Sequence, residues 1–161
     1  MRYHIRRKEK EFTDNESMVK VLKSQPYLTL AMVDDGEPYL VSLSHAYDEE
    51  RNRVYIHMAS EGRKLSVLRK NPRVWGQALQ DHGYHKGECS HLYASVMFKG
   101  KVVFIDDVDE KKHAFRVMAD HQESNLEDRE RFATSNGIPG TVVAYIDIDD
   151  WSGKKSAEVT I

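Results

Sequence analysis

Two apolar runs, residues 27–33 (YLTLAMV) and 38–47 (PYLVSLSHAY), flank the polar step Asp34-Asp35-Gly36. An Asp-Gly step between two such runs is a tight-turn signal, because the turn that matches strand twist needs positive φ at its central positions. The runs therefore form an antiparallel hairpin. Residues 49–52 turn the chain again into residues 53–58, where Val54, Ile56 and Met58 alternate with Tyr55 and His57. The result is an antiparallel meander. Residues 73–79, 93–105 and 141–148 read as three further strands, with Gly100 marking a bend or bulge in the fifth.

Helical signals are few. Thr13-Asp14-Asn15-Glu16 is a capping-box pattern with Thr13 as N-cap. Met18, Val19, Val21 and Leu22 give the apolar side of a helix that ends before Pro26. Residues 63–70 form a second helix, stopped by Asn71-Pro72, and residues 109–121 a third. Residues 123–131 are heavily charged and read as a partly ordered helix or loop. Long strands with a glycine bend and few helices favour a mainly β fold, a six-stranded antiparallel barrel with peripheral helices, because closure removes exposed edges.

At 161 residues, with no repeat or linker, the chain reads as one domain, 1–161, with a basic arm (1–12) and a tail (151–161). Its net charge of −2 gives no global field toward nucleic acid. The cations of the opening are balanced by Glu9 and Glu11, which reads as a solvated arm. No apolar run approaches membrane-spanning length, and no signal-peptide pattern is present. One cysteine, Cys89, excludes an internal disulfide framework. A soluble cytoplasmic protein with no membrane or nucleic-acid partner is expected.

The third strand runs through the small-residue turn Ser60-Glu61-Gly62 into a helix that opens with Arg63-Lys64. Cations there face the positive end of the helix dipole, which is mildly unfavourable unless an anion sits between them and the free first-turn N–H groups. Arg offers a fork and Lys a mobile point charge, and both suit a phosphate. By their residue types alone they also fit a solvated basic patch. His57 can donate or accept a proton near working pH, or serve as an ordinary strand histidine. His82, His85, Cys89 and His91 crowd into HGYHKGECSH, but their spacing matches no standard zinc knuckle and the glycines suit a flexible loop, either plainly polar or facing a substrate. No metal is expected. Trp75 reads as core or subunit interface, Trp151 near a strand end as a cover for a partner's cleft, and Asp147, Asp149 and Asp150 as a solvated strand end.

Taken in order, several pieces resemble the flavin-binding split β-barrel superfamily that includes pyridoxamine 5′-phosphate oxidase, and within it the nitroimidazole-resistance (Nim-type) branch. They are residues 30–39 (LAMVDDGEPY), Val54-Tyr55-Ile56-His57, Gly62-Arg63-Lys64-Leu65, Asn71-Pro72-Arg73-Val74, Tyr93-Ala94-Ser95-Val96 with Gly100-Lys101, and Asp147-Ile148 with Ser152-Gly153-Lys154. The basic opening Arg6-Arg7-Lys8 is also similar to that branch. The resemblance implies an FMN-binding split-barrel homodimer with the cofactor in the cleft between subunits. It implies that Val41, Ser42, Leu43, Ser44 and His45 lie along the isoalloxazine, that His57 and Met58 contact the cofactor, that Arg63 and Lys64 hold its phosphate, and that Ser95 adds a polar contact. His57 is the candidate catalytic residue.

The implied activity is an FMN-dependent oxidoreductase. It would take electrons from NAD(P)H or a carrier protein and reduce a small acceptor such as a nitro compound or quinone. The alternatives are a flavin-binding protein without dedicated catalysis, or a haem- or deazaflavin-binding split barrel. Pyridoxamine phosphate oxidases carry Arg and Lys where this chain has Leu40 and His45, and their basic C-terminal motif has no counterpart after Trp151. Oxidation of a phosphorylated B6 vitamer is therefore not expected.

Overall fold

The computed structural model describes residues 5–134 and 140–161. Seven strands occur in them: β1 (Glu11–Phe12), β2 (Tyr27–Asp34), β3 (Glu37–Asp48), β4 (Arg53–Met58), β5 (Arg73–His85), β6 (Ser90–Ile105) and β7 (Val142–Lys155). The helices are α1 (Asn15–Lys23), α2 (Arg63–Lys70), α3 (Val108–Gln122) and α4 (Leu126–Ala133). Sheet order is β1-β7-β4-β3-β2-β5-β6, and a further β6–β7 ladder closes the six long strands into an antiparallel barrel. The seventh strand is the two-residue β1, which pairs Glu11 with Lys154 and Phe12 with Gly153. Ile5 and Phe12 are buried, so the arm is tied to the barrel at both points instead of being solvated throughout.

Local chemistry explains the joints. At the β2–β3 turn Asp35 (φ 52°) and Gly36 (φ 92°) both take positive φ, and Asp34 pairs with Glu37. A β-bulge separates Lys99 from Gly100 on β6; a Cβ at Gly100 would overlap the Asp147 carbonyl oxygen, so glycine is required where the strand bends. The first helix starts one residue later than its capping box suggests. Asp14 is the N-cap and accepts from Ser17 N at 2.8 Å, because a carboxylate is the better acceptor for a first-turn amide.

The main core fills the barrel with Leu28, Leu30, Ile56, Leu68, Phe98 and Ile146, among others. Trp151 packs from the side against this core and against the smaller cluster around Val21 and Val96. It is therefore partly buried against its own chain's two clusters. The tail expected at 151–161 begins inside β7, which runs to Lys155. A third cluster lies outside the barrel wall, where α3 sets Ala114 and Met118 on Ala46, Tyr55 and Val143. No helix among the described residues is long and apolar enough to cross a membrane.

Candidate functional site

The strand β3 changes partner partway along. Residues 37–44 pair with β2, and residues 45–48 pair with β4. Beyond the His45–Ile56 pair the two strands separate, so among the described residues the edge of β3 turned away from β2 carries no ladder at residues 37–44. Backbone groups that alternate along such an edge are free to meet a ligand. Ser44 and His57 stand on the two strands at the point of separation.

Both line a cleft of about 270 Å³ roofed by α3 and α4 through Phe115, Met118, Gln122 and Phe132. The His57 and Phe115 rings lie 5.9 Å apart with a 34° tilt. Burial pushes the His57 pKa down, and the nearby Lys64 ammonium pushes it further. Burial also lowers the pKa of Lys64. Cation repels cation here, and among the described residues no carboxylate pairs with Lys64.

The surroundings of Lys64 sharpen that point. The N-cap of α2 is Gly62, which offers no side-chain acceptor, and the first turn holds no acidic residue. The helices α1, α3 and α4 each have a side-chain cap (Asp14, Asp107 and Asn125) and an acid in the first turn. The amides of Arg63, Lys64 and Leu65 thus lack an intrahelical acceptor beside a half-buried cation. Arg63 is already oriented. Its Nε donates to Asp34 Oδ2 at 3.1 Å, and its guanidinium lies 4.4 Å from the centre of the Tyr39 ring. The two terminal nitrogens of Arg63 remain for an anion. This arrangement suits a phosphate.

Several expected residues turn their side chains away from the cleft, while the backbone of residues 41–44 lies on the open edge of β3. Leu43 and Met58 are buried in the main core, and Val41 packs on its margin, because they occupy the inward parity of their strands. Ser42 faces outward, its Oγ 3.2 Å from Thr29 Oγ1. His45 is 1% exposed. Its Nε2 hydrogen-bonds to the Leu22 carbonyl at 3.1 Å, which makes Nε2 the protonated nitrogen, and its carbonyl accepts from Gln122. Nδ1 is buried without a partner. Burial, with the neighbouring His121, lowers the His45 pKa to about 4. His45 is a core residue whose side chain is enclosed by the fold. Ser95 Oγ donates to the Lys154 carbonyl at 3.3 Å and lines a different cleft, so one chain does not bring it to His57.

Asp34, Tyr39 and Phe115 went unforeseen. Asp34 and Tyr39 sit in and beside the hairpin turn, and no sequence signal ties a turn acid to an arginine 29 residues on. The HGYHKGECSH segment is an extended hairpin with the rings of Tyr84 and His91 5.3 Å apart, and no group of three metal-ligating side chains occurs among the described residues. Asp147, Asp149 and Asp150 form ion pairs with Arg53, Arg73 and Lys99.

A family model described as pyridoxamine 5′-phosphate oxidase matches residues 14–155. The chain belongs to this family. A putative 5-nitroimidazole antibiotic resistance protein from Bacteroides thetaiotaomicron superposes with TM-score 0.77 at 24% identity, covering 90% of this chain and 86% of that one. A flavocytochrome from Azotobacter vinelandii gives 0.80 at 22% identity, covering 96% and 72%. A FAD- and haem-binding protein from Mycobacterium smegmatis gives 0.77 at 22% identity, covering 91% and 73%. At these identities the likeness establishes the split-barrel fold. A search of curated protein sequences returned no match.

Proposed function

We infer that the protein binds FMN and acts as a flavin-dependent oxidoreductase that reduces small electrophiles such as nitro compounds or quinones. The observation that carries this reading is Lys64, a half-buried cation without a carboxylate partner among the described residues, at an uncapped helix start beside the split between β3 and β4. Lys64, the first-turn amides of α2 and the terminal nitrogens of Arg63 would hold the phosphate, with Asp34 fixing the guanidinium. The open edge of β3 and the hydroxyl of Ser44 would meet the polar rim of the ring system, and Phe115 would exclude water from one side. Bound flavin supplies two-electron uptake from a reduced nicotinamide or protein donor and delivery to the acceptor. His57 would orient the acceptor or give it a proton. Support comes also from family membership and from relatives whose descriptions name FAD, haem and nitroimidazole resistance.

The working unit in this reading is a cytoplasmic homodimer. Tyr27 and Leu40 are each 64% exposed and Val33 is 47% exposed on the outer face of the β2–β3 hairpin, an apolar patch suited to a two-fold contact. The test is spectroscopic. Purified protein should show oxidised-flavin absorption, bleach anaerobically with NADH, NADPH or dithionite, and recover on addition of a nitro acceptor. A haem band in place of flavin would overturn the cofactor assignment. Bleaching without recovery by any acceptor would leave a flavin carrier instead of a reductase.

A further inference from the structure

The helix α3 meets the barrel through a histidine in each half. In the N-terminal half His113 Nε2 shares a hydrogen bond of 2.7 Å with Asp48 Oδ2, and Glu110 accepts from Arg51 and Tyr55. In the C-terminal half His121 Nε2 lies 3.2 Å from the Gln25 carbonyl, and its ring stands 5.2 Å from that of His45. A carbonyl can only accept, so each of His45 and His121 carries its proton on Nε2. His45 Nδ1 is left as a bare acceptor, buried and without a partner among the described residues.

The two halves answer acid differently. A proton added at His45 Nδ1 would create a buried N–H without an acceptor and a buried charge facing His121. Burial first, and then His121, push the His45 pKa down to about 4. The other charged groups around the pair do not offset this. On α1, Lys23 pairs with Glu49, and on α3, Asp120 pairs with Arg129 of α4. Glu50 and Arg116, of opposite sign, line the adjoining cleft with His121, and β4 presents Ile56 to His45. At the other end, burial raises the Asp48 pKa, but hydrogen bonds from His113 and two backbone amides outweigh it. A protonated His113 strengthens that pair, so the Asp48 end holds in acid.

The acid-sensitive half carries the roof of the His57 cleft. Met118, Ala119, Gln122 and Glu123 line it, and Gln122 Nε2 donates to the His45 carbonyl at 3.4 Å. Arg129 Nε donates to the Glu123 carbonyl at 2.7 Å, which ties α4 and its Phe132 to this half.

We propose that His45 and His121 form a proton-operated latch. Protonation of His45 releases the C-terminal half of α3, with α4, and opens the His57 cleft, while Asp48 and His113 hold the other half as the hinge. Its service as a gate to flavin rests on the proposed function; the latch itself needs no flavin. Once released, His45 regains an ordinary histidine pKa of about 6.5. The open form then binds the extra proton, so opening gains up to about tenfold per pH unit as pH falls from about 6.5 toward 4.

Amide hydrogen exchange of the full chain at pH 7 and pH 5, expressed as protection factors, reads this opening along α3. Protection over residues 118–122 should fall about 20-fold between the two, and over residues 112–115 about threefold or less. His45→Gln keeps a donor for the Leu22 carbonyl but cannot titrate, and should remove the response. His121→Gln keeps a donor for the Gln25 carbonyl and should reduce the response, which supplies the test if His45→Gln does not fold. Protection indifferent to pH, equal losses in both halves of α3, or an undiminished response in either folded variant would overturn the proposal. Flavin enters none of these readouts. Opening in a chain that binds no FMN would sink the proposed function and leave the latch standing.

Discussion

Two histidines on adjoining strands have opposite fates. His45 shares the inward parity of Leu43 and Tyr47, so the period of two already places it inside; that signal was legible, and the family resemblance alone pointed the other way. His57 faces outward, and its depressed pKa reflects burial first and then Lys64. A phosphate beside Lys64 offsets that ammonium's field. The His57 pKa should therefore be higher in the FMN complex than in the riboflavin complex, which buries the ring and lowers the pKa without adding the phosphate charge. A ring-proton NMR titration in the two complexes measures the difference. Equal shifts would place the phosphate elsewhere. In the proposed reaction His57→Ala should keep FMN but slow reoxidation by a nitro acceptor about 10²-fold, the low end of general-acid effects. His57→Gln keeps a donor that cannot titrate and should abolish the pH dependence. Unchanged stopped-flow rates in both variants would remove His57 from the chemistry.

Among the elements, α3 matters beyond its own length because it roofs the His57 cleft. It is clasped to the barrel by His113 Nε2, which shares a hydrogen bond of 2.7 Å with Asp48 Oδ2, and by Glu110, which accepts from Arg51 and from the Tyr55 hydroxyl. Asp48 is 5% exposed and also accepts from the amides of Glu50 and Arg51. Burial raises its pKa, but the His113 and backbone hydrogen bonds outweigh it and hold the carboxyl below its ordinary value. A depressed carboxylate pKa contributes stability above the unfolded value of about 4, and that contribution is lost as pH falls through the lower folded value. Asp48→Ala should cost about 2–3 kcal/mol in urea unfolding at pH 7, with the gap to wild type narrowing below about pH 4. A gap constant with pH would mean that packing, not the charged clasp, holds α3. The helix itself was legible from its apolar side, but the clasp joins residues 65 apart and leaves no local mark. The β5–β6 hairpin extends through Tyr84–His91 and His85–Ser90 pairs without apolar alternation, so its polar sequence reads as a loop.

For the whole molecule, the meander, the long strands and the glycine bend make an antiparallel barrel legible in the sequence. The pairing of β6 with β7 that closes it and the partner change in β3 depend on contacts between distant segments, so no local pattern marks them. The outer face of the β2–β3 hairpin predicts a dimer: light scattering should give twice the 18.6 kDa of one chain, and Leu40→Arg should drive it toward monomer. A monomeric wild type that still binds flavin tightly would refute a shared cleft. The most direct test of the account is the affinity for FMN and riboflavin in wild type and in Arg63→Ala/Lys64→Ala. Charge-assisted phosphate bonds are each worth about 1.5–3 kcal/mol, so the double variant should lose FMN affinity by about 10²-fold or more while riboflavin binding scarcely changes. A folded double variant that binds FMN as tightly as wild type would contradict it.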